Sequence, residues 1–539
     1  MSKYSIGIDL GTKSIRSVLV DIYTGEEINT SVSYYKKGIL DSSFFDSNLY
    51  KSDMAIEDPL DYEESLFNSL ETLLKTSNIN KDDVVGIGID STCSTFLPVD
   101  KDHVPLSTYT EFKRNPHAYV TMWKHHSASK YADEITEYDL AHGTLINEKY
   151  GRKTNAEFFF PKLLELYNDS KDVYDKTYSF MEVGDYCIYL LSGAHIRSEI
   201  VQSCKYYYEN GKYLVDDFIK DKHPEIINYK DKLNGEVIPN GAVGGYLSKK
   251  ASNILGLKAG IPISSLNCDA LVNPLAFDDF SESYMVSVIG TSICNIINRK
   301  DYIGVDGIFD TIYDASIKSY YSYESGQCAC GDILESFINM FSEELKQYDN
   351  PFDHLNSLAS KLKIGESGLV ALDFFNGNRS ILNDANVSGL VLGLTLNTRI
   401  EEIYLCLLES IAFGFKKIVD NYKDSGILVN KILACGGIPK KNPFFMQLLS
   451  DVLNMEIVVA RSKYSSALAS SVYGAYLSGY YESLLDASKK MGGIDPKSYK
   501  PNALRNKQYD ELYKEYNTLY TSKEVRDIMH RLNKIKNKQ

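Results

Sequence analysis

The stretch Ile6-Gly7-Ile8-Asp9-Leu10-Gly11-Thr12-Lys13-Ser14-Ile15-Arg16 constrains this chain more than any other. An apolar run that ends in an acid reads as a buried strand. Gly11, Thr12, Lys13 and Ser14 predict a tight polar turn, and Val18-Leu19-Val20 a second strand. Such a hairpin sets Asp9 where a metal or a phosphate could sit. Gly11 lets backbone N–H groups come close to an anion, and Thr12 and Ser14 add hydroxyl donors. A plain edge hairpin with an Asp at its turn is an equal reading.

The same grammar recurs. Val84-Val85-Gly86-Ile87-Gly88-Ile89-Asp90 is a second apolar strand ending in an acid, after an amphipathic segment over 62–74. Residues 161–167 and 185–191 carry helical spacing, and the Lys-rich 220–234 reads as surface. Later, Ser264-Ser265-Leu266-Asn267-Cys268-Asp269 leads into a helix-like run over 270–276, and 284–289 predicts a strand turning at Gly290-Thr291-Ser292. Residues 432–435 predict a strand that stops at Gly436-Gly437, followed by a helix over 442–453. A strand over 457–460 then precedes a small-residue helix over 466–476. Each half begins with a strand ending in a polar glycine turn. Two related α/β halves follow, of residues 1–260 and 261–539, each long enough to bury a core.

With 58 Lys and Arg against 72 Asp and Glu, the net charge of −14 excludes wrapping of nucleic acid. It suits a protein whose anionic ligands sit in local sites. No apolar run approaches the roughly 18 residues of a membrane span. The chain enters a strand at once, so a cytoplasmic protein without a signal peptide is expected. Nine scattered cysteines, with no CxxC pair and no zinc spacing, predict buried, inert thiols in a reducing compartment. The Lys-rich residues after Asp527 read as a solvated helix end.

Several groups can carry chemistry. Asp269, between a loop and an apolar helix, can accept a proton from a hydroxyl, or simply cap the helix. Gly290-Thr291-Ser292 and Gly436-Gly437 with Asn442 can line a nucleotide, or make ordinary turns. Glu324-Ser325-Gly326-Gln327 with Gly331-Asp332 forms a polar patch, or a loop. Asn115-Pro116-His117-Ala118-Tyr119 and Trp123-Lys124-His125-His126 offer polyol-binding groups, or a solvated loop. The adjacent histidines point apart, which argues against a metal.

Taken together these segments resemble the FGGY carbohydrate kinases, over almost the whole length, and within them the ribulokinases. Gly7-Ile8-Asp9-Leu10-Gly11-Thr12, Gly88-Ile89-Asp90-Ser91-Thr92, 112–119 with 123–126, Gly290-Thr291-Ser292, 371–379, 393–398 and 434–443 carry the likeness. The resemblance implies two ribonuclease-H-like domains of the actin, heat-shock chaperone and sugar-kinase type flanking a central cleft. Sugar would bind mainly to the first and ATP mainly to the second. By it Asp269 is the general base and a sugar contact, and Asp9 helps hold Mg2+. Gly11, Thr12, Ser14 and Arg16 meet the transferring phosphoryl group. Gly290, Thr291, Gly331, Gly437, Lys441 and Asn442 surround ATP. Thr92, Ala118, Lys124, Glu157, Lys205 and Glu324 contact the sugar. The expected partners are a small sugar and ATP, with neither nucleic acid nor membrane; a homodimer stays open. Ser91, Phe158, Tyr186 and Leu271 depart from the ribulokinase pattern, where Phe, Trp, Trp and His are usual. They leave the kinase chemistry intact and the choice of sugar open.

Overall fold

Why the Ser465–Leu477 helix is built of small residues becomes plain from what lies beneath it. A Cβ added at Gly7, Gly86 or Gly88 would stand 1.7–1.9 Å from the carbonyl oxygens of Ala467, Gly474 and Ser470. The helix backbone therefore rests directly on the sheet, and only glycine against alanine, serine and glycine permits that approach. The computed structural model describes residues 2–536 and divides into two units. Of the described residues, the first holds 2–279, 312–322 and 464–493; the second holds 280–311, 323–463 and 494–536. Residues 261–279, 312–322 and 464–493 lie beyond the expected boundary at 260 and pack with the first unit: Pro262–Ser264 and Asn267–Cys268 pair into its sheet, and the small-residue helix covers it.

The first unit is built on a seven-stranded sheet. Along its path run Val243–Tyr246, Pro262–Ser264, Val84–Ser91, Tyr4–Leu10, Ser14–Asp21 and Glu27–Tyr34, and Asn267–Cys268 also pairs with Val84–Ser91. Tyr4–Leu10 is antiparallel to Ser14–Asp21 and parallel to Val84–Ser91. The Pro59–Thr76 helix, with Asp58 as its N-cap and Pro at its start, buries Leu66, Leu70 and Leu73. A four-stranded sheet of Ile56–Glu57, Val120–Thr121, Phe96–Val99 and Ser179–Glu182 completes the unit.

The second unit repeats the plan. Tyr284–Ile289 is antiparallel to Ile293–Arg299 and parallel to Lys431–Cys435, which is parallel to Glu456–Ala460. The Ile400–Asp424 helix buries the face from Tyr404 to Tyr422. The expected strands over 84–90, 284–289, 432–435 and 457–460 and the helices over 442–453 and 466–476 are all present within one or two residues of their ends. The Lys-rich end forms the Lys523–Lys536 helix with one buried residue, Met529. Residues 220–234 are less exposed than expected: His223, Ile226 and Tyr229 are buried along the Asp216–Lys222 helix and the following turn. Among the described residues no helix is long and apolar enough to cross a membrane.

Candidate active site

Three acids meet at the C-terminal edge of the first sheet. Parallel register pairs Asp9 with Asp90, and Asn267 and Cys268 with Asp90 and Ser91. Asp269 follows directly and opens the short Asp269–Val272 helix, whose N-cap is Cys268, so Asp269 is not the simple cap. Its Oδ1 accepts the N–H of Ala270 at 2.8 Å, and its own carbonyl accepts from Asn273 and Ser466. The hairpin places Arg16 opposite Asp9, and its Nη1 donates to Asp9 Oδ2 at 2.8 Å. The charge of Asp9 holds the guanidinium above its usual range, with Asp90 and Asp269 adding to it. Burial, and then the charge of Asp9, push the Asp90 carboxyl well up. Ser470 donates to Asp90 Oδ2 at 2.5 Å, while buried Oδ1 has no hydrogen-bond partner.

The carboxylates of Asp9 and Asp269 outnumber the one guanidinium, and Asp90 beside them holds a buried carboxyl oxygen with no hydrogen-bond partner. That set suits a hard divalent cation with oxygen ligands, so the residues fit Mg2+ with Asp9 and Asp90 as its holders.

The hairpin turn supplies hydroxyls. Gly11 N–H donates to Ser14 carbonyl at 3.1 Å, and Tyr35 hydroxyl to Gly11 carbonyl at 3.0 Å. Ser14 already belongs to the second strand, so the turn is one residue tighter than expected. Thr12 Oγ1 accepts the indole N–H of Trp123, the chain's one tryptophan, at 3.3 Å. Trp123 N–H in turn donates to Thr95 Oγ1, which shares a hydrogen bond with Thr92 Oγ1 at 2.9 Å. This chain of contacts joins the turn to the loop after Val84–Ser91.

Beside it lie the expected sugar residues of the first unit. Lys205 is buried, its Nζ 4.0 Å from Glu157 and 5.2 Å from the centre of the Phe158 ring. His126 Nε2 also meets Glu157, at 3.3 Å. Lys124 is half-buried and its charge acts on Glu57, whose carboxyl burial lifts to about 7. Ala118 is wholly buried in a turn and offers only backbone. The 115–126 stretch is no solvated loop: Asn115, His117 and His125 are buried, and His125 faces Glu165 at 2.7 Å. Of the four departures, Phe158, Tyr186 and Leu271 are buried, and Ser91 donates to Thr92 carbonyl at 3.3 Å.

The second unit gathers the expected nucleotide residues. Gly290 N–H donates to Ser292 carbonyl at 2.9 Å, closing the turn between Tyr284–Ile289 and Ile293–Arg299. That turn holds the start of the Gly331–Met340 helix: Gly331 N–H donates to Gly290 carbonyl at 3.0 Å, and Cys330 N–H to Thr291 carbonyl at 2.8 Å. The parallel strand Lys431–Cys435 ends beside them at Gly436, whose φ of +96° favours glycine. A Cβ at Gly290 or Gly437 would meet nothing within 4 Å, so both backbones are approachable. Asn442 caps the Pro443–Leu453 helix through Phe445 N–H at 3.0 Å, and Lys441 is exposed. Glu324 lies in this unit, on the Tyr321–Gln327 strand; the polar patch is a buried strand and no loop.

Asp90, which carries the same acid signal near its strand end as Asp9, belongs to the cluster. One buried group escaped the sequence reading: Lys162 donates to the carbonyls of Ser94 and Met122 at 2.5 and 3.1 Å, and burial brings its amine down to about 7; nothing in its helical context signals this burial. One pairing was not expected: Cys93 and Cys268, 175 residues apart, are brought together as a disulfide pair. Long sequence separation hid the pair.

A two-unit α/β fold with strand-ending acids in one sheet and glycine turns in the other defines a sugar-kinase-like protein. Residues 4–275 match the N-terminal domain, and residues 285–477 the C-terminal domain, of the FGGY family of carbohydrate kinases. The chain belongs to that family and is a kinase; ATP is the family's phosphoryl donor. It is 36% identical to a ribulokinase of Halalkalibacterium halodurans over 100% of this chain and 98% of that one. A Staphylococcus aureus ribulokinase is 34% identical, covering 96% of each. Among solved structures, a gluconate kinase from Lactobacillus acidophilus superposes with TM-score 0.79 at 20% identity, covering 97% of this chain and 99% of that one. A xylulose kinase from Rhodospirillum rubrum does so with TM-score 0.79 at 18% identity, covering 98% and 100%.

Proposed function

We propose that this chain is a ribulokinase-like enzyme that transfers the γ-phosphoryl of ATP to the terminal hydroxyl of a ketopentose. Ribulose is the first choice, giving ribulose 5-phosphate. The observation that carries this reading is the convergence of Asp269 with Asp9, Asp90 and Arg16 at one sheet edge, in a chain 36% identical to a ribulokinase throughout its length.

In this reading Asp269 takes the proton from the sugar hydroxyl as its oxygen bonds to the γ-phosphorus and ADP leaves. A positioned carboxylate supplies about 10²–10⁴ in rate. Arg16, Thr12 and Ser14 donate to the phosphoryl oxygens as charge spreads over them. Asp9 and Asp90 would hold Mg2+, which would supply neutralisation of the polyphosphate charge. Gly290, Thr291, Gly331 and Gly437 bring backbone amides to the nucleotide, with Lys441 and Asn442 nearby. Thr92, Lys124, Glu157, Lys205 and Glu324 orient the sugar, and Ala118 shapes its pocket. ATP supply places the enzyme in the cytoplasm. A second reading is a kinase for xylulose or another polyol; Leu271, buried where the ribulokinase pattern has His, favours it. A catalytically idle binding protein is disfavoured by the retained acids.

The test is ADP release from ATP and Mg2+ with a panel of pentuloses and polyols. Turnover with ribulose above the rest is expected. Turnover with xylulose and none with ribulose overturns the choice of sugar, and none with any sugar overturns the reading.

A further inference from the structure

Behind the acid cluster lies a second group of ligating atoms that phosphoryl transfer does not use. The sulfurs of Cys93, Cys204 and Cys268 lie within 4.8 Å of one another, and all three residues are buried. They arrive from three elements: the loop after Val84–Ser91, the end of the Glu199–Lys205 helix and the Asn267–Cys268 strand. Each adjoins a residue of the proposed sugar site, namely Thr92, Lys205 and Asp269. Cys187, Cys330 and Cys406 are also buried but lie outside this group.

The geometry points to Cys93, Cys204 and Cys268 as a site for one thiophilic d10 cation of the Zn2+ or Cd2+ class, open when the three are reduced and closed by the Cys93–Cys268 disulfide. Three sulfurs make the protein's share of a site that keeps one open position. The group contains no carboxylate or imidazole, so it selects soft ions and rejects Mg2+. It is thus chemically distinct from the Asp9 and Asp90 pair, although Cys268 and Asp269 are consecutive. The steps balance. A dithiol reductant gives two electrons and two protons to the Cys93–Cys268 bond, which opens to two thiols while the reductant becomes a disulfide. Three thiols then release three protons to water as three metal–sulfur bonds form. In a reducing cytoplasm the open form prevails.

The full-length protein, reduced by a phosphine and freed of reductant, is titrated with Cd2+ in a large excess of Mg2+. Sulfur-to-cadmium charge-transfer absorption should saturate at one equivalent, and native mass spectrometry should show one Cd2+ added with protons lost. Protein oxidised to the Cys93–Cys268 disulfide should bind none at this site. Cys204→Ser should weaken binding at least roughly tenfold, and Cys187→Ser should not. Binding equal in the oxidised and reduced forms, or undiminished in a folded Cys204→Ser, overturns the proposal. Should that variant not fold, the oxidised-against-reduced comparison of the natural chain decides alone. A second arm rests on the proposed sugar kinase activity: bound Cd2+ should suppress sugar turnover, and a chelator should restore it. Absence of turnover with any sugar before Cd2+ is added refutes that activity and leaves the binding result to stand or fall by itself. Full Cd2+ occupancy without loss of turnover refutes the link to the sugar site.

Discussion

The two hairpins, Tyr4–Leu10 with Ser14–Asp21 and Tyr284–Ile289 with Ile293–Arg299, have the same neighbours and opposite chemistry. Each first strand has an antiparallel partner on one side and a parallel strand on the other. In the first unit the pair one residue before the strand ends is acidic, Asp9 against Asp90. In the second Val288 stands against Cys435, followed by Gly290 and Gly436. Identical topology therefore presents carboxylates in one place and bare backbone in the other. Carboxylates can take protons and hold cations; backbone N–H groups freed of side chains can donate to polyphosphate. The proposed division of labour would lie in a few residues near strand ends, on a scaffold that is neutral to it.

The largest test of the acidic half is Asp269→Asn. Turnover should fall at least about 10²-fold while the sugar still binds, because the amide keeps the shape and loses the base. Steady-state kinetics with calorimetric sugar titration separate the two effects. Near-normal turnover would remove Asp269 from its role and with it the contrast between the hairpins.

Next in size is Gly88→Ala. Its Cβ would stand 1.7 Å from Ser470 carbonyl, so helix and sheet must part, at a cost of about 1–3 kcal/mol. Urea unfolding measures it. Ser470 also anchors Asp90, so the same change should disturb the acids. An unchanged midpoint would show that the small-residue helix is not seated as described.

Burial and the charge of Asp9 raise the Asp90 carboxyl in the folded chain. Stability tied to that group is therefore full below the ordinary carboxylate range and is lost as pH rises through the raised value. Its slope reaches at most ~1.4 kcal/mol per pH unit for one proton. Without divalent cations, Asp90→Asn should flatten the fall in stability over that window. A fall equally steep in the variant would assign it elsewhere.

The glycine half is probed by Gly290→Ala. A Cβ there meets open space, so the melting temperature should hold while KM for ATP rises roughly tenfold, or ~1.4 kcal/mol. A lowered melting temperature with unchanged KM would make this turn structural.

What the sequence revealed follows from how local each signal is. Strand ends marked by acids or glycines need only a few residues, so Asp9, Asp90, Gly290 and Gly436 were legible. The long-range register that aligns Asp9, Asp90 and Asn267 was not, because pairing partners lie up to 177 residues apart along the chain. Nor was the meeting of Cys93 with Cys268, nor the return of residues 464–493 to the first sheet. Helical periodicity located the Ser465–Leu477 helix, but only the glycines at 7, 86 and 88 say which sheet it covers.

The smallest expected effect concerns Trp123, which ties the acidic hairpin to the loop that carries Thr92 and Thr95. Its indole N–H donates to Thr12 and its backbone N–H to Thr95, whose own N–H donates to Glu182 at 3.0 Å. Trp123→Phe keeps an aromatic ring and removes one donor. The lost hydrogen bond is worth about 1 kcal/mol, or about fivefold in kcat if Thr12 must be held to meet the phosphoryl group. KM for the sugar should move little, since Thr92 and Thr95 keep their mutual contact. Combining it with Thr12→Val should cost less than the sum of the two single changes, because both remove one interaction. Strict additivity would mean that Thr12 acts without Trp123, and that the hairpin's hydroxyls are positioned by the turn alone.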